Sequence, residues 1–265
     1  TPRCLPCRYD GEFFNKSIRR HGSVSVGLME LSDVGFASLF TQEAEALAQL
    51  AAIIGLDDEV AVMLQRADEQ RRQIANHLWD EESSAFVNKF HNGSFYRRIS
   101  PTSFYALGAR AASDKQAALL VSSWLLNATR FCIAPDGNMS MNTDVCYWGL
   151  PSISASDPAF PPLGYWRGFV WGPMALLVYW SLLEYDHIST IRVARKALCK
   201  QMTALMVSQW RRNRHICENF SPHRDATDCT GTKFYHWGAL TGLISVLEAG
   251  HYSPLSENFA ALSAL

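Results

Sequence analysis

The sequence predicts an all-α protein whose antiparallel helical hairpins form an incomplete toroid. Seven segments repeat apolar residues at helical spacing, and no part of the chain alternates strand and helix patterns. Long loops fall at alternate connections, which places short loops on one face and long loops on the other. A closed ring of six hairpins needs two helices per hairpin, so the seven predicted here leave the ring open.

The first hairpin is predicted between residues 33 and 78. Ser32 or Asp33 caps a helix that runs to about Ile54, and Asp57 caps a second helix that runs to about Leu78. Only about three residues join the two helices, so they must lie antiparallel.

A second hairpin begins after an irregular segment. The Ser100-Pro101 pair, an N-cap followed by proline at the first helical position, starts a helix that reaches about Ala112. Ser113 and Gln116 have the form of a capping box and open the next helix, to about residue 126.

Three further helices are predicted in the second half of the chain, over about 171–185, 190–212 and 234–249. Two long loops, 131–168 and 213–233, precede the first and the last of them. Loops of this length inside a globular chain are usually functional.

Composition narrows the class of protein. Hydrophobic residues make up 48% of the chain and charged residues 18%, which supports a sizeable core and excludes disorder. The net charge of -1 gives no indication of nucleic-acid binding. The longest apolar run, 169–183, contains Gly172 and Pro173 and is shorter than the ~20 residues of a membrane span, so no membrane segment is expected in this chain.

The cysteines and glycosylation sequons leave the compartment open. Seven cysteines cannot all pair within one chain, and their pairing does not follow from the sequence. Sequons occur at Asn15, Asn92, Asn127 and Asn138, with a fifth, followed by proline, at Asn219. They favour a secretory or extracellular location only weakly, because such short motifs also arise by chance.

Two cysteine-based alternatives are weaker. Cys4 and Cys7 have ligand-like spacing, but no second Cys-x-x-Cys or paired-histidine motif accompanies them, so we predict no metal site and no cofactor. A thiol enzyme built on Cys217 with His215 also lacks a recognisable motif.

Three segments at loop-to-helix boundaries carry candidate chemistry. The first places Trp166, Arg167 and Trp171 among glycines, just before a buried helix. Aromatic faces stack on sugar rings and arginine donates to hydroxyls, although Trp171 is equally well explained as a core residue.

The second segment holds Glu218 in a short loop after a long helix, where a carboxylate can act as a general base or simply be solvated. The third groups Tyr235, His236 and Trp237 at a helix start, where a core role is the alternative.

In this order and spacing, the three segments resemble glycoside hydrolase family 63 and its relatives, which include processing α-glucosidases and mannosylglycerate hydrolase-like enzymes. The family wording is close to residues 165–174, with Phe169 in place of proline, and to 218–222 and 234–239. The likeness covers roughly residues 8–250.

The resemblance implies an (α/α)6 toroid that hydrolyses α-linked glucose- or mannose-type sugars with inversion. Glu218 falls on the family's general base, and the predicted substrate-binding residues are Trp166, Arg167, Trp171, Tyr235, His236 and Trp237. The implied partner is therefore a carbohydrate substrate.

One family motif is absent. The family's general acid is an aspartate in a motif similar to Gly-(Leu/Trp)-Asp-Asn-Ser-Pro, and the corresponding stretch, residues 4–8, contains no aspartate. Asp10 is the nearest acidic residue, but it matches a position just after the acid. We therefore expect residues 1–265 to be a partial catalytic domain that lacks its N-terminal part and is inactive alone. The alternative is a non-catalytic carbohydrate-binding or structural remnant.

Overall fold

The computed structural model describes residues 31–133, 149–160, 164–223 and 230–250, and the backbone of 19–20 and 23–24. Within these residues there are seven α-helices, which we number in chain order: α1 (Val34–Ile53), α2 (Asp57–His77), α3 (Tyr105–Gly108), α4 (Asp114–Leu120), α5 (Gly172–Leu183), α6 (Ser189–Asn213) and α7 (His236–Ala249). The predicted all-α class is confirmed.

The described residues also contain nine short strands, three before α1 and six in the connections between helices: β1 (Arg19–Arg20), β2 (Ser23–Val24), β3 (Leu31–Ser32), β4 (Trp79–Asp80), β5 (Ala85–Phe86), β6 (Asn88–Phe90), β7 (Phe95–Tyr96), β8 (Cys217–Asn219) and β9 (Thr230–Lys233). They form antiparallel sheets in the orders β1-β2, β3-β6-β7, β4-β5 and β8-β9. The expectation of an almost wholly helical chain missed them, because two to four residues are too few for an alternating pattern.

The first hairpin forms as predicted. The side chain of Asp33 caps α1, its Oδ1 accepting from the Phe36 amide at 2.7 Å, while Asn88 donates to its Oδ2 at 3.0 Å. Gly55 turns the chain with φ +75°. Helix α2 has Leu56 at its cap position, so Asp57 is its first residue rather than its cap.

The third predicted helix is shorter than expected. Residues Pro101–Phe104 form a 3-10 turn after the Ser100 cap, and α3 ends at Gly108. It ends because Arg110 takes a left-handed conformation with φ +53°, which an α-helix cannot accommodate. The capping box of Ser113 and Gln116 is present, but α4 passes into a π-helical turn over Val121–Leu125.

Helices α1, α3, α5 and α7 are successive neighbours that begin on one face of the molecule. At the start of α1, Gly35 lies against Thr102, just before α3, and at the start of α5, Gly172 lies against the carbonyl of Trp237 in α7. Helices α2 and α6 return in the opposite direction. The starts of these parallel helices therefore share one rim of an open ring of hairpins.

The core lies between these helices. Its largest fully buried side chains include Trp171, Tyr179, Phe86, Phe104 and Phe220. Among the helices in the described parts of the chain, none combines the length and the hydropathy that crossing a bilayer requires.

Candidate active site

Glu218 lies in the middle of β8, directly after α6. The helix ends at Arg214, whose left-handed conformation (φ 57°, ψ 22°) turns the chain into the strand. Strand β8 pairs with β9, and the register shifts between Cys217 and Asn219. The side chain of Glu218 is buried, with 8% of the residue exposed.

Both carboxylate oxygens of Glu218 accept hydrogen bonds. The Tyr165 hydroxyl donates to Oε1, and the backbone amide of Thr232, in β9, donates to Oε2 at 2.9 Å. Together these bonds fix the orientation of the carboxylate plane.

These hydrogen bonds also set the protonation states of Glu218 and Tyr165. The bond from Tyr165, followed by the amide of Thr232, holds the pKa of Glu218 below its ordinary value of 4.5, because both donors favour the charged form. The same bond to Glu218 raises the pKa of Tyr165 to about 12. Near neutral pH the site therefore pairs a carboxylate with a neutral phenol.

A tight hairpin presents Tyr165 to Glu218. The amide of Gly164 donates to the Arg167 carbonyl at 3.0 Å, and the amide of Arg167 donates back to the Gly164 carbonyl at 2.8 Å. Tyr165 and Trp166 form its two-residue tip and are exposed. The half-buried side chain of Arg167 folds back over Gly164, at the base of the hairpin.

An isolated bridge after the hairpin ties it to the residue that follows β8. Val170 and Phe220 exchange two backbone hydrogen bonds, at 2.8 and 3.0 Å. On the other side, the Gly168 amide donates to Ser152 Oγ at 2.9 Å. The relative position of Tyr165 and Glu218 is thus built into the backbone.

An aromatic cluster adjoins this pair. The rings of Trp166 and Trp171 stack at 3.7 Å with an interplanar angle of 13°, and Trp237 lies 5.7 Å from Trp171. Tyr235 lies 5.3 Å from Trp237 and stacks on the exposed ring of His236 at 5.0 Å.

The two stacked tryptophans have different environments. Trp166 is 48% exposed, whereas Trp171 is fully buried and its Nε1 donates to the Tyr165 carbonyl at 3.0 Å. Trp171 therefore supports Trp166 and the hairpin from behind. The structure brings the predicted site residues together, while their roles in binding and catalysis stay predictions.

Two glycines allow the backbone to approach Glu218. A Cβ on Gly231, which has φ +72°, would lie 2.5 Å from Oε2 of Glu218. Gly238, in the first turn of α7, packs against the carbonyl of Cys217. Larger residues at either position would displace β8.

Sequence reasoning missed Tyr165, Thr232 and Gly231. Tyr165 stands within a motif already singled out, so its position in that motif was the available signal. Thr232 acts through its backbone amide, which leaves no trace in a side-chain pattern.

Cys217 is disulfide-bonded, as is Cys132. A thiol mechanism built on Cys217 with His215 is therefore wrong, since a disulfide sulfur is not a thiolate nucleophile. Cys4 and Cys7, the cysteines with ligand-like spacing, lie outside the described residues. Within the residues that are described, no group of three or more His, Cys, Asp and Glu is placed to hold an ion.

A separate cavity of about 720 Å³ opens beside the start of α1, the end of α2 and the β6–β7 hairpin. Its lining includes Phe36, Phe40, His77 and Phe90, and it shares no residue with the cluster around Glu218. We place the candidate site at Glu218 instead, because its carboxylate accepts hydrogen bonds from Tyr165 and Thr232 and the exposed ring of Trp166 lies nearby.

The toroid-type fold thus holds a buried carboxylate beside an exposed aromatic ring. Residues 11–238 match the profile of the mannosylglycerate hydrolase MGH1-like glycoside hydrolase domain, so the chain belongs to that family. No curated protein sequence matches it.

Solved structures agree with the fold. The GH63 mannosylglycerate hydrolase from Thermus thermophilus, in complex with glucose, is 19% identical with a TM-score of 0.58, over 82% of this chain and 48% of that chain. The neutral trehalase of Saccharomyces cerevisiae is 18% identical with a TM-score of 0.59, over 83% and 38%. This chain therefore spans about half the length of such structures, or less.

Proposed function

We propose that this chain supplies the general base of an inverting glycoside hydrolase, and that Glu218 is that base. The supporting observation is the Glu218 carboxylate, which accepts from Tyr165 and from the Thr232 amide beside the exposed ring of Trp166. A general base must be ionised and must be held in a fixed position next to its water. Both donors favour that state.

The proposed substrate is an α-linked glucose- or mannose-type sugar. The exposed ring of Trp166 offers a flat surface for a sugar face, and Arg167 and His236 can donate to hydroxyls. Similar structures are described as a mannosylglycerate hydrolase in complex with glucose and as a trehalase, and both descriptions support this substrate class.

The general acid is proposed to come from outside this sequence. Inversion needs a second carboxyl group about 6.5–9.5 Å from the base. The stretch that resembles the acid motif, residues 4–8, lacks an aspartate and lies outside the described residues. We therefore propose that residues 1–265 are one part of a single catalytic domain.

Glycosyl fluorides test this proposal, because fluoride leaves with little acid assistance. We expect the 265-residue chain to hydrolyse α-glucosyl or α-mannosyl fluoride slowly, with a β-configured first product visible by proton NMR. Unactivated α-glucosides and α-mannosides should be hydrolysed at no more than background rates. Ordinary turnover of these would contradict the missing-acid proposal, and an α-configured first product would contradict inversion.

The alternative is a carbohydrate-binding remnant, which the exposed Trp166 would also suit. The fluoride assay, repeated with the full-length protein, separates the two functions. In a remnant, sugars change the tryptophan fluorescence, but both fluorides stay intact even when the protein contains the segment that carries the acid.

A further inference from the structure

The sequon Asn92-Gly93-Ser94 forms the exposed tip of the hairpin between β6 and β7. The Ser94 amide and hydroxyl both donate to Asn92 Oδ1, at 3.0 and 2.7 Å. Because Oδ1 accepts both bonds, the amide nitrogen Nδ2 of this exposed side chain is not used by the turn. Gly93, with φ +88° and nothing within 4 Å of an added Cβ, leaves the tip open.

The sequon Asn127-Ala128-Thr129 has the same local geometry in a different part of the fold. It follows the π-helical turn after α4, and Thr129 donates to Asn127 Oδ1 through its amide at 3.0 Å and its hydroxyl at 2.9 Å. Asn127 is half-buried, while Ala128 and Thr129 are exposed.

The sequon at Asn219 provides an internal contrast. Asn219 is fully buried in β8, next to Glu218, and Pro222 follows the sequon serine. A glycan cannot be attached there without displacing the strand. The sequons at Asn15 and Asn138 lie outside the described residues.

The cysteines give an independent indication of the compartment. Of the three in the described residues, Cys132 and Cys217 are disulfide-bonded, and Cys199 is free and buried. Disulfides form and persist in oxidising compartments, which include the endoplasmic reticulum lumen and the extracellular space. Asparagine-linked glycans are attached to surface loops of proteins that pass through these same compartments.

We infer that Asn92 and Asn127 are N-glycosylation sites of a protein that matures in an oxidising secretory compartment. The donor is an oligosaccharide linked to a lipid diphosphate. Its anomeric carbon forms a bond to Nδ2 while the bond to the diphosphate oxygen breaks, and Nδ2 loses one proton. The diphosphate leaves with the bonding electron pair, and no oxidant or reductant is required. This inference does not depend on the role of Glu218.

Peptide mapping of the full-length protein, produced in the secretory pathway of a eukaryotic cell, tests both sites. Release of the glycans by peptide N-glycosidase in oxygen-18 water converts each glycosylated asparagine into labelled aspartate. We expect label at Asn92 and Asn127 and none at Asn219. Either of the first two peptides without label in the folded, secreted protein would overturn that site, and label at Asn219 would contradict the structural argument.

Matched variants separate glycosylation from spontaneous deamidation and from misfolding. Ser94→Ala should abolish the label at Asn92 alone, and Ser94→Thr, which keeps the hydroxyl, should retain it. Thr129→Ala and Thr129→Ser should behave in the same way at Asn127. Label that persists in both alanine variants would show that the asparagines carry no glycan.

Discussion

The hydroxyl of Tyr165 donates a hydrogen bond to Oε1 of Glu218, across 53 residues of sequence. A two-residue hairpin holds the donor, a strand holds the acceptor, and the Val170–Phe220 backbone bonds join the two elements. The bond orients the carboxylate and favours its charged form.

Replacing Tyr165 with phenylalanine should raise the pKa of Glu218, because the donor that lowers it most is lost. A base must be deprotonated, so the acid limb of the pH–rate profile on a glycosyl fluoride should move to higher pH. Carbon-13 NMR of the glutamate carboxyls gives the pKa directly. Tyr96→Phe, which removes a phenol hydroxyl from β7, outside the site, is the control. An unmoved acid limb in Tyr165→Phe would show that the bond does not control the base.

Gly231→Ala should disturb both stability and the position of Glu218. The left-handed conformation costs a non-glycine residue about 1–2 kcal/mol, and the new Cβ would lie 2.5 Å from Oε2 of Glu218. Gly55→Ala is a matched control, because Gly55 has a similar φ of +75° and open space around it. Both variants should lose stability in urea unfolding, Gly231→Ala more than Gly55→Ala because its Cβ also clashes with Glu218. Fluoride hydrolysis should be lost only in Gly231→Ala. Equal activity in the two variants would contradict the predicted steric effect.

Trp166 and Trp171 should respond differently to truncation. Trp171→Ala opens a void in a fully buried position and should lower the free energy of unfolding by about 3–5 kcal/mol. Trp166→Ala should cost less than Trp171→Ala, because about half of Trp166 is already exposed to solvent, yet it should weaken sugar binding. Thermal unfolding and isothermal titration with a monosaccharide measure the two effects. Unchanged sugar affinity in Trp166→Ala would remove this ring from the proposed site.

Asp80 should contribute pH-dependent stability outside the site. Burial acts to raise its pKa, but hydrogen bonds from Arg97 and Ser83 outweigh burial and hold the pKa below its ordinary value of 3.8. This stabilisation is complete above 3.8 and is lost as the pH falls through the lower folded value. The gap in unfolding free energy between wild type and Asp80→Asn should therefore narrow in acid. Glu82→Gln removes an exposed carboxylate that also pairs with Arg97, so it should change stability by less than about 1 kcal/mol.

The hairpins of helices could be predicted because their signals are local. The Asp33 cap and the Ser113–Gln116 capping box both form, since each is determined by a few neighbouring residues. The early end of α3 could not be predicted, because the left-handed conformation of Arg110 depends on its surroundings. Likewise, the predicted start at Phe234 was wrong by two residues: Phe234 has φ +55°, and α7 begins at His236.

The site was predictable only where side chains carry the chemistry. The motifs identified Glu218 and the tryptophans as candidates. The Tyr165–Glu218 bond and the amide of Thr232 depend on how distant segments fold together, and spacing in the sequence does not encode such contacts. The burial of Trp171 behind Trp166 likewise depends on packing.

The proposal that Glu218 is the base is tested most directly by comparing Glu218→Gln with Glu81→Gln in the full-length protein. Glu81 is an exposed carboxylate in the turn between β4 and β5, far from the site in sequence. With a saturating α-glycosyl fluoride, Glu218→Gln should lower kcat by about two to four orders of magnitude, as expected for the loss of one general base, while Glu81→Gln should match the wild type. Circular dichroism should show both variants folded. A folded Glu218→Gln variant with wild-type kcat would contradict the account.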